Sequence, residues 1–230
     1  IKDKRGRRVR LPVTFPAEYP EKDLKIPPYI LGLLLGDASF RTQGQINRVL
    51  QFSSEDSFLP SVVAEEMGWD YKKNHPKNYT YHFYYKEPFE GREAVSVRDI
   101  LRETAPDLID AYSGEKFIPE EYLQSSIEQR FSLIQGLLDT DGSVDERGRV
   151  GFFTNSQKMA LQIQKILWSL GFQVTISEDN HKENTNYVLQ IAGKPEDKVK
   201  LFRLPRKKER LENWFNNDKR KEYKDTIPIV

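Results

Sequence analysis

Two hundred and thirty residues with 37% hydrophobic and 12% aromatic content supply apolar material for one large domain or two small ones, and exclude a disordered chain. The absence of cysteine excludes disulfides, thiol catalysis and cysteine-ligated zinc or iron–sulfur centres, fits an intracellular setting, and leaves His75, His82 and His181 as the imidazoles. A formal net charge of +1 excludes a general polycation, so any phosphate-binding role must rest on local clusters of charge.

In chain order, residues 1–26 have prolines at 12, 16 and 20 and no helical period, and are predicted to run as an extended basic arm. The first strong element is the helix opened by Pro27 and Pro28 in PPYILGLLLGDASF. The longest unbroken apolar run, Ile26 to Gly36, is 11 residues with two prolines, short of the roughly 18 that cross a bilayer, so no membrane segment is expected. No apolar stretch follows the basic start as a secretory signal requires. The pattern is then strand-like around Ser39 to Thr42 and at NRVLQFS, helical at DSFLPSVVAEEMG with Pro60 in its first turn, strand-like near WDYKKN and YTYHFYY, and helical at VSVRDILRET.

From residue 127 the order begins again: helix IEQRFSLIQGLLDTDGSV, strand RVGFFTN, helix QKMALQIQKILWSLG, strands FQVTIS and YVLQIAG, helix EDKVKLF. Like positions keep a near-constant offset: Asp37 to Asp141 is 104, Gly68 to Gly171 is 103, Tyr79 to Tyr187 is 108. The chain therefore reads as a tandem duplication with a pseudo-twofold axis. Its parts are a basic arm (1–26), a first half (27–110), a linker around SGEKFIPEEYLQSS (111–126) and a second half (127–230).

ILGLLLGDA (30–38) and IQGLLDTDG (134–142) hold equivalent places in the two halves, each with Gly third and Asp eighth. Gly32 and Gly36 are four apart, as are Gly136 and Thr140, so each pair lies on one helical face and admits the backbone of a second helix. Packing along these seams would bring Asp37 and Asp141 together. Carboxylates at helix C-termini oppose the dipole by about 0.3–1 kcal/mol and repel each other, so a compensating cation is expected. Oxygen-only ligands favour a hard divalent ion, foremost Mg2+, with Mn2+ or Ca2+ able to occupy the same site, and a carboxylate pair sharing metal suits phosphodiester hydrolysis. The alternating Asp139, Asp141, Ser143 and Asp145 do not form an EF-hand loop, because the sixth residue from Asp139 is Val144 where that loop needs Gly. His75 and His82 lack further ligands and read as surface or packing residues.

With these blocks the sequence resembles the two-motif, single-chain LAGLIDADG homing endonucleases, in particular those carried by inteins, over about residues 27–212. EKFIPEEYL (115–123) and SQKMALQIQKILWSLGFQVTI (156–176) add to the likeness. The resemblance implies an α+β fold of two αββαββα halves, a β-sheet saddle for double-stranded DNA, and the two motif helices packed at its centre. It implies a monomer that makes a divalent-metal-dependent double-strand break in a long, roughly palindromic site, cutting across the minor groove to leave short 3′ overhangs. A relative acting as an intron RNA maturase or a DNA-binding regulator is the alternative. By position, Asp37 and Asp141 become the catalytic residues that bind the divalent ions. Lys116 of EKFIP becomes a cation that polarises or orients water, against an ion pair as its plainer role, and Lys207 of LPRKKERLENW becomes its second-half counterpart. The first motif has Leu35 where the second has Asp139, and symmetry then makes Asp139 a capping or solvent residue and not a third ligand. Self-splicing is not expected, since Ile1 is no splicing nucleophile and TIPIV lacks a terminal His-Asn.

For DNA, strand alternation assigns Asn47, Gln51 and Ser53, then Thr80, His82, Tyr84 and Lys86, to an outward face, with Leu50, Phe52, Tyr79, Tyr81, Phe83 and Tyr85 inward. In the second half Gln173, Thr175 and Ser177, with Asn186, Val188, Gln190 and Ala192, point outward. Such hydrogen-bonding sets suit base edges in a major groove. Residues 1–10 carry six basic side chains against Asp3 (Lys2, Lys4, Arg5, Arg7, Arg8 and Arg10), and residues 201–224 carry nine against four acids. These, with Arg149, Arg206 and Lys208, are the expected phosphate contacts.

Overall fold

The structure, a computed structural model, describes residues 10–12, 15–40, 50–85, 97–179, 185–217 and 226–228. After a short strand β1 (Arg10–Pro12), the first half runs α1 (Pro28–Asp37), β2 (Ala38–Ser39), β3 (Gln51–Ser53), α2 (Phe58–Met67), β4 (Trp69–Lys73), β5 (Thr80–Tyr85) and α3 (Val97–Thr104). Two 3-10 turns and α4 (Glu120–Leu123) lead to the second half: α5 (Ile127–Asp141), β6 (Gly142–Val144), β7 (Val150–Thr154), α6 (Gln157–Ser169), β8 (Gln173–Asp179), β9 (Asn186–Ala192) and α7 (Pro195–Lys200). A further helix α8 (Pro205–Asn217) and strand β10 (Thr226–Pro228) follow.

The duplication read from the sequence is a structural repeat. The two four-stranded antiparallel sheets have orders β2-β3-β5-β4 and β6-β7-β9-β8, the same path in each half. Matching local chemistry sets the elements. Ser126 and Gln129 form a reciprocal capping box at the start of α5, and Ser156 caps α6 through the Met159 N–H. Gly68 and Gly171, at φ 66° and 88°, supply the left-handed residue that turns the chain from α2 and α6 into the strands that follow.

α1 is apolar on every side and accordingly buried on every side, from Tyr29 through Leu35. Its main partner is α5, and the seam is as tight as the glycine spacing predicts. A Cβ on Gly32 would lie 2.4 Å from the Leu133 carbonyl oxygen and 2.9 Å from Gly136 Cα. A Cβ on Gly136 would lie 2.2 Å from the Tyr29 carbonyl oxygen. Only backbones without side chains can approach so closely.

The structure adds to one expectation and corrects another. The described part of the prologue is tied to the body: β1 pairs with β10, and Ala17 N–H donates to the Ser169 carbonyl at 2.7 Å. The Gln129 amide also clasps both backbone groups of Lys22, and the Arg130 guanidinium donates to the Ala17 carbonyl and the Ser169 hydroxyl. Residues 17–22 are thus a strap across the second half, because its side-chain amide and guanidinium groups satisfy the strap's backbone. Lys2, Lys4, Arg5, Arg7 and Arg8 lie outside the described residues. Secondly, Tyr79 is 51% exposed where alternation placed it inward, because β5 begins one residue later, at Thr80. None of the described helices is long and apolar enough to cross a membrane.

Candidate functional site

The seam delivers Asp37 and Asp141 to one place. Each is the last residue of its motif helix, and a Cβ on Gly36 would meet Thr140 Oγ1 at 2.0 Å, so the two C-terminal ends touch one residue before the carboxylates. Burial pushes the Asp37 carboxyl up to about 7, with the neighbouring charge of Asp141 adding to the rise and the Ser54 hydroxyl, Lys207 and Lys116 opposing it. Burial raises Asp141 as well, against the pull of Lys116 and Lys207. Two hard oxygen donors whose charged forms are penalised by burial are what a divalent cation relieves, and Mg2+ is ordinarily held by one or two carboxylates with water and phosphate oxygens. The pair fits such an ion. Among the described residues no third His, Cys, Asp or Glu joins them in a cluster.

Both lysines assigned from the sequence lie at this point, one over the C-terminal end of each motif helix. Lys116 Nζ donates to the carbonyls of Leu35 (2.7 Å), Gly36 (3.3 Å) and Ala38 (2.9 Å) at the end of α1. Lys207 Nζ donates to those of Leu138 (2.8 Å), Asp139 (2.8 Å) and Thr140 (3.0 Å) at the end of α5. Leu35 and Gly36 are the repeat equivalents of Asp139 and Thr140, so the two caps correspond. Each ammonium satisfies orphan carbonyls and sits where the helix dipole favours a cation. The ion-pair reading of Lys116 gives way to carbonyl capping, and part of the compensating charge that the sequence assigned to metal alone comes from these lysines. Burial lowers both ammonium groups, Lys207 to about 8 with help from Arg206 beside it.

The lysines reach the centre along different routes. Lys116 leaves the linker, whose Ile118 backbone is clasped on both sides by the Gln162 amide at 2.8 Å and whose Lys116 carbonyl accepts from the Ser156 hydroxyl. Lys207 rides in the first turn of α8, a helix the sequence reading did not assign. Asp139 is 1% exposed, and one of its oxygens accepts from the Tyr29 hydroxyl at 2.7 Å and from the backbone N–H groups of Arg203 and Leu204 at 3.1 Å. Of its two expected roles, capping holds and solvent exposure does not. Tyr29 and Arg203 were also missed, and no local signal marks them, because their bonds span 64 to 110 residues.

Residues 128–200 match the LAGLIDADG-like domain family. Over 81% of this chain and 96% of theirs, two structures of the homing endonuclease I-DmoI superpose: one of its mesophilic variants at TM-score 0.51 and 20% identity, and its complex with DNA and Ca at 0.50 and 19%. The chain carries a LAGLIDADG-like domain and has the two-motif LAGLIDADG fold. By sequence it is 27% identical over 195 residues to a replicative DNA helicase DnaB of Mycobacterium intracellulare and 30% over 135 residues to one of Nostoc sp. (strain PCC 7120). These matches cover 83% and 50% of this chain but only 27% and 15% of those proteins.

On the LAGLIDADG sheets the outward sets alternate with core as expected where they are described. Gln51 and Ser53 are exposed around buried Phe52, Thr80 and His82 are half-buried around buried Tyr81 and Phe83, and Gln173, Thr175 and Ser177 flank buried Val174. Gln190 is exposed between buried Leu189 and Ile191, and Asn186 is half-buried. Register lines them into equivalent rows, Ser39–Gln51–His82–Lys72 and Ser143–Gly151–Gln190–Thr175. His82 Nε2 is buried without a hydrogen-bond partner among the described residues. A groove of about 880 Å3 opens beside the second sheet, with Arg149, Gln173, Thr175, Gln190 and Lys194 among its lining residues. Tyr84 lies opposite Asp70, while Asn47 and Lys86 fall outside the described residues. Arg149 is paired with Asp145 at 2.6 Å, and Lys208 is exposed. Arg10 pairs in register with Pro228 in the small β1–β10 sheet. Arg206 reaches Asp56 of the first half at 2.7 Å, so this arginine ties the halves together.

Proposed function

We propose that this chain is a sequence-specific, divalent-metal-dependent DNA endonuclease that breaks both strands. The observation that carries the reading is the meeting of Asp37 and Asp141, one from each half, with one lysine ammonium fixed at the end of each motif helix. A structural helix pair gains nothing from two half-buried carboxylates at its dipole-unfavourable ends. Asp37 and Asp141 would hold Mg2+, which when bound supplies Lewis-acid stabilisation of phosphate oxygens and a more acidic water. Lys116 and Lys207 place positive charge beside the carboxylates, where it opposes the negative charge that builds on a phosphate during hydrolysis. By the pseudo-twofold relation, one lysine would serve each strand. The outward rows would meet base edges, and Lys208, Lys194 and Arg149 the phosphates. Because one chain holds both motifs, a monomer suffices. The DnaB matches, in which the matched segment is 27% and 15% of the whole, support a domain carried within a longer host chain of the intein kind.

The test is selection of cleaved sites from a randomised duplex library with Mg2+, followed by Asp37→Asn and Asp141→Asn on the selected site. Each variant should bind the site and cut it at least about 100-fold more slowly. Wild-type cleavage rates in both variants would overturn the reading.

A further inference from the structure

We infer that Asp139 is a positioning residue that sets Lys207 over the end of the second motif helix. This rests on the proposed nuclease reading for its effect on cleavage, but the geometry stands on its own. One Asp139 carboxylate oxygen gathers three donors: the Tyr29 hydroxyl of α1 and the N–H groups of Arg203 and Leu204, the two residues before α8. The Leu204 carbonyl then accepts from the Lys207 and Lys208 N–H groups at 3.1 Å, which forms the first turn of α8. Lys207 returns to α5 through its side chain, onto the carbonyls of Leu138, Asp139 and Thr140. The start of α8 is therefore fastened to α5 at two points one helical turn apart, and the first of them is the Asp139 carboxylate.

The surroundings reinforce this. Arg203 sends its guanidinium to Ser132 and Gln135 of α5 at 2.6 and 2.8 Å, stacks over the Tyr29 ring at 4.1 Å, and faces Glu66 of α2 at 3.5 Å. A carboxylate at the start of α8 is also on the favourable side of that helix's dipole. The first half has no counterpart: Leu35 stands in the equivalent place, and Lys116 is held through Ser156 and Gln162. The two lysines thus occupy matching sites with unlike supports. Asp139 is the support of one of them.

Asp139→Leu copies the first half's own residue, and Asp139→Asn keeps an acceptor oxygen. Two readouts are compared in the full chain. The first is strand-resolved cleavage: Asp139→Leu should slow one strand at least about tenfold relative to the other and accumulate nicked DNA. The second needs no activity. Acylation of amines, mapped by mass spectrometry, should rise about tenfold at Lys207 in Asp139→Leu with Lys116 unchanged, and stay near wild type in Asp139→Asn. Unaltered labelling of Lys207 in Asp139→Leu overturns the assignment. Faster labelling of both lysines together also overturns it, since Asp139 would then support the fold in general. A wild type that cuts no DNA sinks the nuclease reading while the labelling still decides the role of Asp139.

Discussion

A carboxyl group raised to about 7 by burial and a like charge keeps its proton in the folded chain at pH values where the unfolded chain, near 3.8, has lost it. Between those values the folded state binds more protons than the unfolded one, so the contribution of Asp37 to stability declines as pH rises through the window. A salt-bridged aspartate does the reverse. In EDTA, Tm should therefore drop between pH 5 and pH 8, by about 2–4 °C for each kcal/mol of linkage in a chain of this size. Asp37→Asn, neutral throughout, should flatten the drop. Added Mg2+ should raise Tm more at pH 8 than at pH 5, because binding requires the ionised form. Metal-free profiles that coincide for wild type and Asp37→Asn would show that Asp37 titrates normally and that the two carboxylates do not crowd each other.

At the scale of elements, the α1–α5 seam was legible because its signal is local: two glycines four apart and an aspartate one residue on fix the face, the approach and the end of the helix. The ends of α2 and α6 were legible for the same reason, through Gly68 and Gly171. α8 was not, since its buried side chains are Leu211 and Lys207, and the rest of PRKKERLENWFNN reads as solvated charge. Asp139 was half legible: the sequence gives a carboxylate that needs donors but not donors supplied from both ends of the chain. The seam itself makes a graded prediction. Gly32→Ala meets three backbone atoms of α5, which cannot give way as a side chain can, and should cost ~3 kcal/mol by chemical denaturation. Gly36→Ala meets the Thr140 side chain, so Thr140→Gly should restore part of its loss in a double-mutant cycle. Gly68→Ala has open space around it and should cost only the left-handed backbone strain, about 1–2 kcal/mol. Equal losses at all three positions would mean that the helices do not touch along this face.

Taken whole, the molecule has two sheets of identical strand order that present unlike side chains to the outside, and this difference is where sequence preference would be written. In the first row Gln51 is paired in register with His82, whose Nε2 is unpartnered among the described residues, and His82 with Lys72. In the second, Gly151 takes the place of Gln51 and Gln190 that of His82, with the Gln190 amide nitrogen 3.6 Å from where a Gly151 Cβ would be. A glutamine at a base edge discriminates by ~1–3 kcal/mol, and the halves read separate halves of the site if the pseudo-twofold axis coincides with that of the DNA. Gln51→Ala should then relax preference about tenfold at positions on one side of the cleavage point, and Gln190→Ala on the other, each leaving the opposite side unchanged. Reselection of cleaved sites from the randomised library reads both at once. Changes from both variants on the same side would mean that the halves do not divide the site between them, and the correspondence of the two outward rows would then lose its functional meaning.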